Sequence, residues 1–162
     1  MRLALILAAA LIVAPPAMAR QAAPSPDFSG HWVLVSVSPA RSGYESFWFG
    51  VEAIVTHTAT TVEIQRLRPE PARKATFLLN GPESQNTFTV NGRREIKDSR
   101  ATFGKGLLLI STETTTDDER RWLSNILRWS LHPSGDLVVG DTEICGSGEC
   151  PSVVTTLTFR RQ

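Results

Sequence analysis

From residue 31 to residue 160, apolar and polar side chains alternate with a period of two, and short clusters of turn residues separate the alternating runs. Such a period sends successive side chains to opposite faces of an extended chain. Runs rich in Val, Ile, Thr, Phe and Trp predict strands over 31–37, 51–57, 61–67, 74–80, 86–90, 93–102, 107–113, 121–131, 136–142 and 153–160. No stretch carries a convincing helical period. Asn91-Gly92 between two runs predicts a type I′ hairpin, and Asn80-Gly81-Pro82, Gly104-Lys105-Gly106 and Pro133-Ser134-Gly135-Asp136 predict further reversals. The alternation also assigns faces. Leu127, Trp129 and Leu131 point together, as do Leu137 with Val139, Leu157 with Phe159, and Phe77 with Leu79. Strands of this kind put one face in a core and the other in water. The expectation is an all-β domain over 28–162, a single antiparallel up-and-down β-barrel of about eight to ten strands, because closure removes exposed edges. Trp32-Val33-Leu34-Val35 is apolar on both faces, which leaves a covering segment or a subunit contact as alternatives.

The apolar fraction of 41% is concentrated at the start of the chain. Residues 1–19 hold Arg2, an apolar run from Leu3 to Ala14, and the small-residue pattern Ala17-Met18-Ala19. This is the layout of a secretory signal peptide, and the run is too short for the ~20 residues that span a bilayer. The chain is therefore expected to be exported, to the periplasm or beyond, with 20–27 as a flexible lead-in. Without Arg2, sixteen basic residues balance sixteen acidic ones. No net positive field is left for phosphate binding, which disfavours a nucleic-acid partner. Cys145 and Cys150 enclose Gly146-Ser147-Gly148-Glu149, and in an oxidising compartment pairing is the default. So small a ring adds roughly 2 kcal/mol, enough to pin one loop.

The first strand opens Asp27-Phe28-Ser29-Gly30-His31-Trp32-Val33-Leu34. This resembles the F-S-G-x-W-x-L opening of exported bacterial proteins with a lipocalin-like (calycin-type) barrel, in which Gly30 and Trp32 match the G-x-W element. Phe103-Gly104-Lys105-Gly106-Leu107 and the ending Leu157-Thr158-Phe159-Arg160 follow the same layout. The resemblance implies a cup whose narrow end is closed by Trp32, with a basic residue of the last strand, Arg160 or Arg161, packed over the indole. Of the two, Arg160 is the expected one. The S-G-x-W opening is also similar to that of a bacterial family of periplasmic protease inhibitors that insert their N-terminal segment. That similarity implies an alternative, a protein partner engaged by residues 20–28.

Candidate chemistry gathers in the loop 38–50, which carries Tyr44, Phe47, Trp48 and Phe49. Three consecutive aromatics cannot all face one way on a strand. They plug the barrel, wall the mouth of a cup for a small apolar ligand, or stand exposed as a protein-binding anchor. Ser36 and strand threonines are candidates for inward polar groups that would give such a cup specificity. His31, His57 and His132 have no metal-ligand spacing, and no serine sits in a nucleophile elbow, so no catalytic residue, metal or cofactor is expected. Asp117-Asp118-Glu119 reads as a solvated turn. The basic clusters Arg66/Arg68, Arg73-Lys74 and Arg93-Arg94 read as solvated faces.

Overall fold

A computed structural model describes residues 26–40, 46–116, 121–144 and 153–162. Residues 1–19, expected to be a signal peptide, residues 20–25, Tyr44, Asp117-Asp118-Glu119, Cys145 and Cys150 lie outside the described residues. Each of the ten alternating runs is a strand: β1 (Gly30–Ser38), β2 (Glu52–His57), β3 (Thr61–Arg68), β4 (Arg73–Leu78), β5 (Ser84–Val90), β6 (Arg93–Gly104), β7 (Leu107–Thr116), β8 (Arg121–Leu131), β9 (Leu137–Glu143) and β10 (Val153–Arg161). Asn91 and Gly92 both take positive φ, the type I′ geometry expected of that pair. Among the described residues, no helix is long and apolar enough to cross a membrane.

The strands form one antiparallel sheet in the order β4-β3-β2-β1-β10-β9-β8-β7-β6-β5. Every ladder but one joins neighbours in sequence; the exception, β1 with β10, brings the two ends of the barrel domain together. The sheet thereby curls into a nearly closed barrel whose remaining seam lies between β4 and β5. A parallel bridge from Leu79 to Ala101 ties the β4–β5 turn to β6.

Alternation delivers the core as expected. Val55, Ile64, Phe77, Leu108, Ile110, Leu127, Trp129, Leu137, Val139, Leu157 and Phe159 are all buried. At the closed end Trp32 is fully buried, and its indole Nε1 donates to the Phe28 carbonyl at 2.9 Å. Phe28 lies edge-on to Trp129 and Phe103. The basic residue over the indole is Arg161, with its guanidinium carbon 4.8 Å from the ring, and not Arg160. Leu157, Phe159 and Arg161 share one phase of β10. Arg160 therefore faces out, where its Nε donates to Asp136 at 3.4 Å. Gly30 leaves the room that this stacking needs, since a Cβ there would sit 3.0 Å from Arg161 Nε.

Ser36 does not face inward. The β1–β10 register shifts between Leu34 and Ser36, and this irregularity reverses the phase, so Ser36 is exposed.

Candidate functional site: the barrel interior

The aromatic loop enters the barrel as a tight turn and not as a strand. Gly50 N–H donates to the Ser46 carbonyl at 2.8 Å, and Val51 N–H donates to the Arg68 carbonyl at 3.0 Å. Gly50 takes φ +59°, and a Cβ there would lie 1.8 Å from the Arg68 carbonyl oxygen. The backbone thus presses directly against β3, and the turn's tip is driven inward. Phe49 is fully buried between Trp129 and Phe159, with ring centroids at 4.8 and 4.9 Å. Trp48, 4% exposed, meets Phe77 at 5.1 Å and Phe88 at 5.8 Å. Phe47 is half-buried against Trp48 and Phe88. A turn escapes the alternation that constrains a strand, so all three rings join the interior as a wedge.

The interior is layered along the strands. The floor is apolar, built from Trp32, Leu108, Trp129, Leu137 and Phe159, with Ile110, Leu127, Val139 and Leu157 above it. One step further along the same inward phase, five neighbouring strands change character together: Ser99 on β6, Thr112 on β7, Asn125 on β8, Asp141 on β9 and Thr155 on β10. All five are buried. Ser99 and Thr112 share a hydrogen bond of 3.0 Å between their hydroxyls, and Asn125 Nδ2 donates to Asp141 Oδ1 at 3.3 Å. The next step holds Lys97, whose Nζ donates to Thr114 Oγ1 at 3.0 Å and pairs with Glu95 at 3.0 Å. Ser46 Oγ and Trp129 Nε1 are buried as well, and neither has a hydrogen-bond partner among the described residues. Leaving such a group unpaired costs about 1–3 kcal/mol.

Burial lowers the Lys97 pKa below the ordinary lysine value of 10.5; Glu95 opposes the shift, and the repulsion of Arg73 adds to it. The folded chain therefore releases this proton before the unfolded chain does. As pH rises through the lowered value toward 10.5, the unfolded state binds more protons, and stability is expected to climb in that window. Urea midpoints measured across the alkaline range should show the climb in the wild type and lose it in Lys97→Met. An identical climb in the variant would assign it to another group.

The histidines occupy separate places. His31 Nε2 lies 2.8 Å from Glu52 on the barrel wall, and His57 packs beneath Phe28 at a centroid distance of 5.4 Å. His132 sits in the β8–β9 turn, its Nδ1 2.8 Å from Ser134 Oγ, which in turn donates to Asp136 Oδ2 at 2.9 Å. The carboxylate there holds the serine and not the imidazole. This is the reverse of what an activated nucleophile needs, and the bonds brace an exposed turn.

No family model matches the chain, and no curated protein matches it in sequence. A solved structure described as "REP1-NXSQ fatty acid transporter" superposes with a TM-score of 0.52 at 12% identity, over 83% of this chain and 95% of that one. The likeness is one of fold. It spans nearly the whole of the neighbour, so the barrel as a unit is what the two proteins have in common.

Sequence reasoning located the wedge residues Phe47, Trp48 and Phe49, together with Gly30 and Trp32 at the foot. It expected inward strand threonines, of which Thr112, Thr114 and Thr155 are buried, and missed Ser99, Asn125, Asp141 and Lys97. The signal was present in segments such as Leu108-Leu109-Ile110-Ser111-Thr112-Glu113-Thr114, where one phase passes from Leu and Ile to Thr and Thr.

Proposed function

We propose that this chain is an exported binding protein that holds one small, largely apolar molecule inside its barrel, with a polar atom of that molecule resting on the belt from Ser99 to Thr155. The observation that carries this reading is the belt itself. A barrel interior needed only for stability is best filled with apolar side chains, because each buried polar group costs free energy unless it finds a hydrogen-bond partner, and apolar side chains need none. Here seven polar side chains, counting Lys97 and Thr114, stand buried on one inward surface above an apolar floor. The unpartnered Ser46 Oγ and Trp129 Nε1 are further donors available to an acceptor brought by a ligand. A fold neighbour described as a fatty acid transporter is consistent with the same use of the cup.

Export rests on the N-terminal pattern of Arg2, the apolar run and Ala17-Met18-Ala19. A disulfide between Cys145 and Cys150 would follow from that compartment and pin the loop between β9 and β10.

Native mass spectrometry of protein purified from its own host should reveal a co-purifying adduct below about 1 kDa, the range of ligands such pockets hold. Delipidated protein should then change its tryptophan emission when a lipophile is added, and Trp48→Phe should remove most of the change. A bare mass combined with unchanged emission across a panel of fatty acids, sterols and isoprenoids would overturn the reading.

A further inference from the structure

The seam between β4 and β5 is built unlike the other strand contacts. These two strands are adjacent in sequence yet share no ladder. Side chains take the place of the backbone bonds. Asn86 Oδ1 accepts from Thr76 N–H at 3.0 Å, while Asn86 Nδ2 donates to the Thr76 carbonyl at 3.1 Å. Ser84 Oγ accepts from Leu78 N–H at 2.6 Å. Past Thr76, toward the start of β4, the seam widens into a cleft of about 350 Å³ whose lining includes Arg73, Lys74 and Phe88. Phe88 reaches inward from that lining to Phe47 and Trp48, so the cleft is continuous with the aromatic wedge.

The charges at this place do not balance. The Arg73 guanidinium carbon lies 4.5 Å from the Phe47 ring centroid, and Lys97 Nζ lies 4.2 Å from the same centroid. Arg66 Nη1 adds a donor to the Phe47 carbonyl at 3.5 Å. Lys97 is matched by Glu95, and Lys74 by Glu63 at 2.9 Å. Arg73 is half-buried and makes no ion pair with any described residue. A guanidinium drawn partly out of water with no counter-ion among the described residues, held over an aromatic ring at the mouth of a cleft, is suited to an incoming oxyanion.

We propose that the β4–β5 cleft receives the head group of a single-chain amphiphile bearing one negative charge, with Arg73 as the residue that reads the charge and Phe88 and Phe47 as the surface along which the chain passes inward. This rests on the reading of the barrel as a binding cup, adds to it a class of ligand, and moves the ligand's polar atom from the belt to the end of the polar surface where Arg73 and Lys97 meet the same Phe47 ring. One charge is the expected number, because the cleft lining holds two cations, Arg73 and Lys74, and Lys74 is already paired with Glu63. A neutral amphiphile of the same length would make the apolar contacts and leave Arg73 as it is.

Calorimetric titration of the full mature chain with decanoate and with 1-decanol tests the assignment. Decanoate is expected to bind at least about ten-fold more tightly, since a charge-assisted pair is stronger than a neutral hydrogen bond. Arg73→Gln should erase that preference while moving the 1-decanol affinity less than about two-fold. Salt gives a second readout that needs no variant: raising ionic strength from about 0.05 to about 0.5 M should weaken decanoate and spare 1-decanol. Equal affinities for acid and alcohol, a preference that survives in folded Arg73→Gln, or a preference indifferent to salt would each overturn the charge-reading cleft and leave the cup reading standing. Failure of both amphiphiles to bind the folded wild type would overturn the two together.

Discussion

Trp32→Ala is expected to lower the free energy of unfolding by about 3–5 kcal/mol, the range for deleting a large buried aromatic. The indole is fully buried at the foot of the barrel, donates to the Phe28 carbonyl and carries Arg161 on its outer face. Removing it opens a cavity, leaves a buried carbonyl unpaired and exposes the underside of the floor. Arg161 also donates through Nη2 to the Asp27 carbonyl, so the segment leading into β1 is held by the same cluster. Trp32→Phe keeps much of the volume and loses the hydrogen bond, and should cost markedly less. Urea unfolding of the three proteins checks this. A loss below about 1 kcal/mol for Trp32→Ala would mean that the foot is sealed by other residues.

Gly50→Ala is expected to be comparably damaging through the backbone. A Cβ at this position would meet the Arg68 carbonyl oxygen at 1.8 Å, and the φ of +59° is itself unfavourable for any residue with a side chain. Relief requires the turn to move off β3, which withdraws Phe47, Trp48 and Phe49 from the interior. The two costs together come to about 3 kcal/mol or more. Gly92→Ala is the fitting control: its φ is also positive, at +78°, but nothing lies within 4 Å of the added carbon. It should cost about 1 kcal/mol, the price of the conformation alone. Thermal unfolding separates the two, and a red-shifted tryptophan emission specific to Gly50→Ala would report the displaced wedge.

The barrel was legible because it needs little more than alternation. Each predicted run became a strand, and the residues assigned to the inner face by period two, such as Leu127, Trp129, Leu157 and Phe159, are buried. Where phase alone decided, the answer was within reach even when misread. Leu157 and Phe159 face inward, so Arg161 shares their side and Arg160 does not. The same logic applies to Arg73-Lys74, read from sequence as one solvated cluster. Neighbours on a strand point opposite ways, and only Lys74 reaches an acidic partner on β3. Where local irregularity decided, sequence was silent. The shift in β1 that exposes Ser36 leaves no mark in composition. The belt as a whole was hidden for a different reason: a buried serine or threonine on one strand looks like an ordinary surface residue. Register sets Ser99 against Thr112 and Thr112 against Asn125, and Asp141 against Thr155, and the Asn125–Asp141 hydrogen bond joins the two groups.

The topology leaves the ring of strands open between sequence neighbours and shut between the chain's two ends. Cutting the chain in the β4–β5 turn and splicing residue 162 to residue 26 would therefore sever no ladder. In the rearranged chain, β5 through β10 followed by β1 through β4, every pair of adjacent strands would be consecutive. The barrel is thus a simple meander in which β1 and β10 happen to fall in the middle, and its architecture does not depend on which strand comes first.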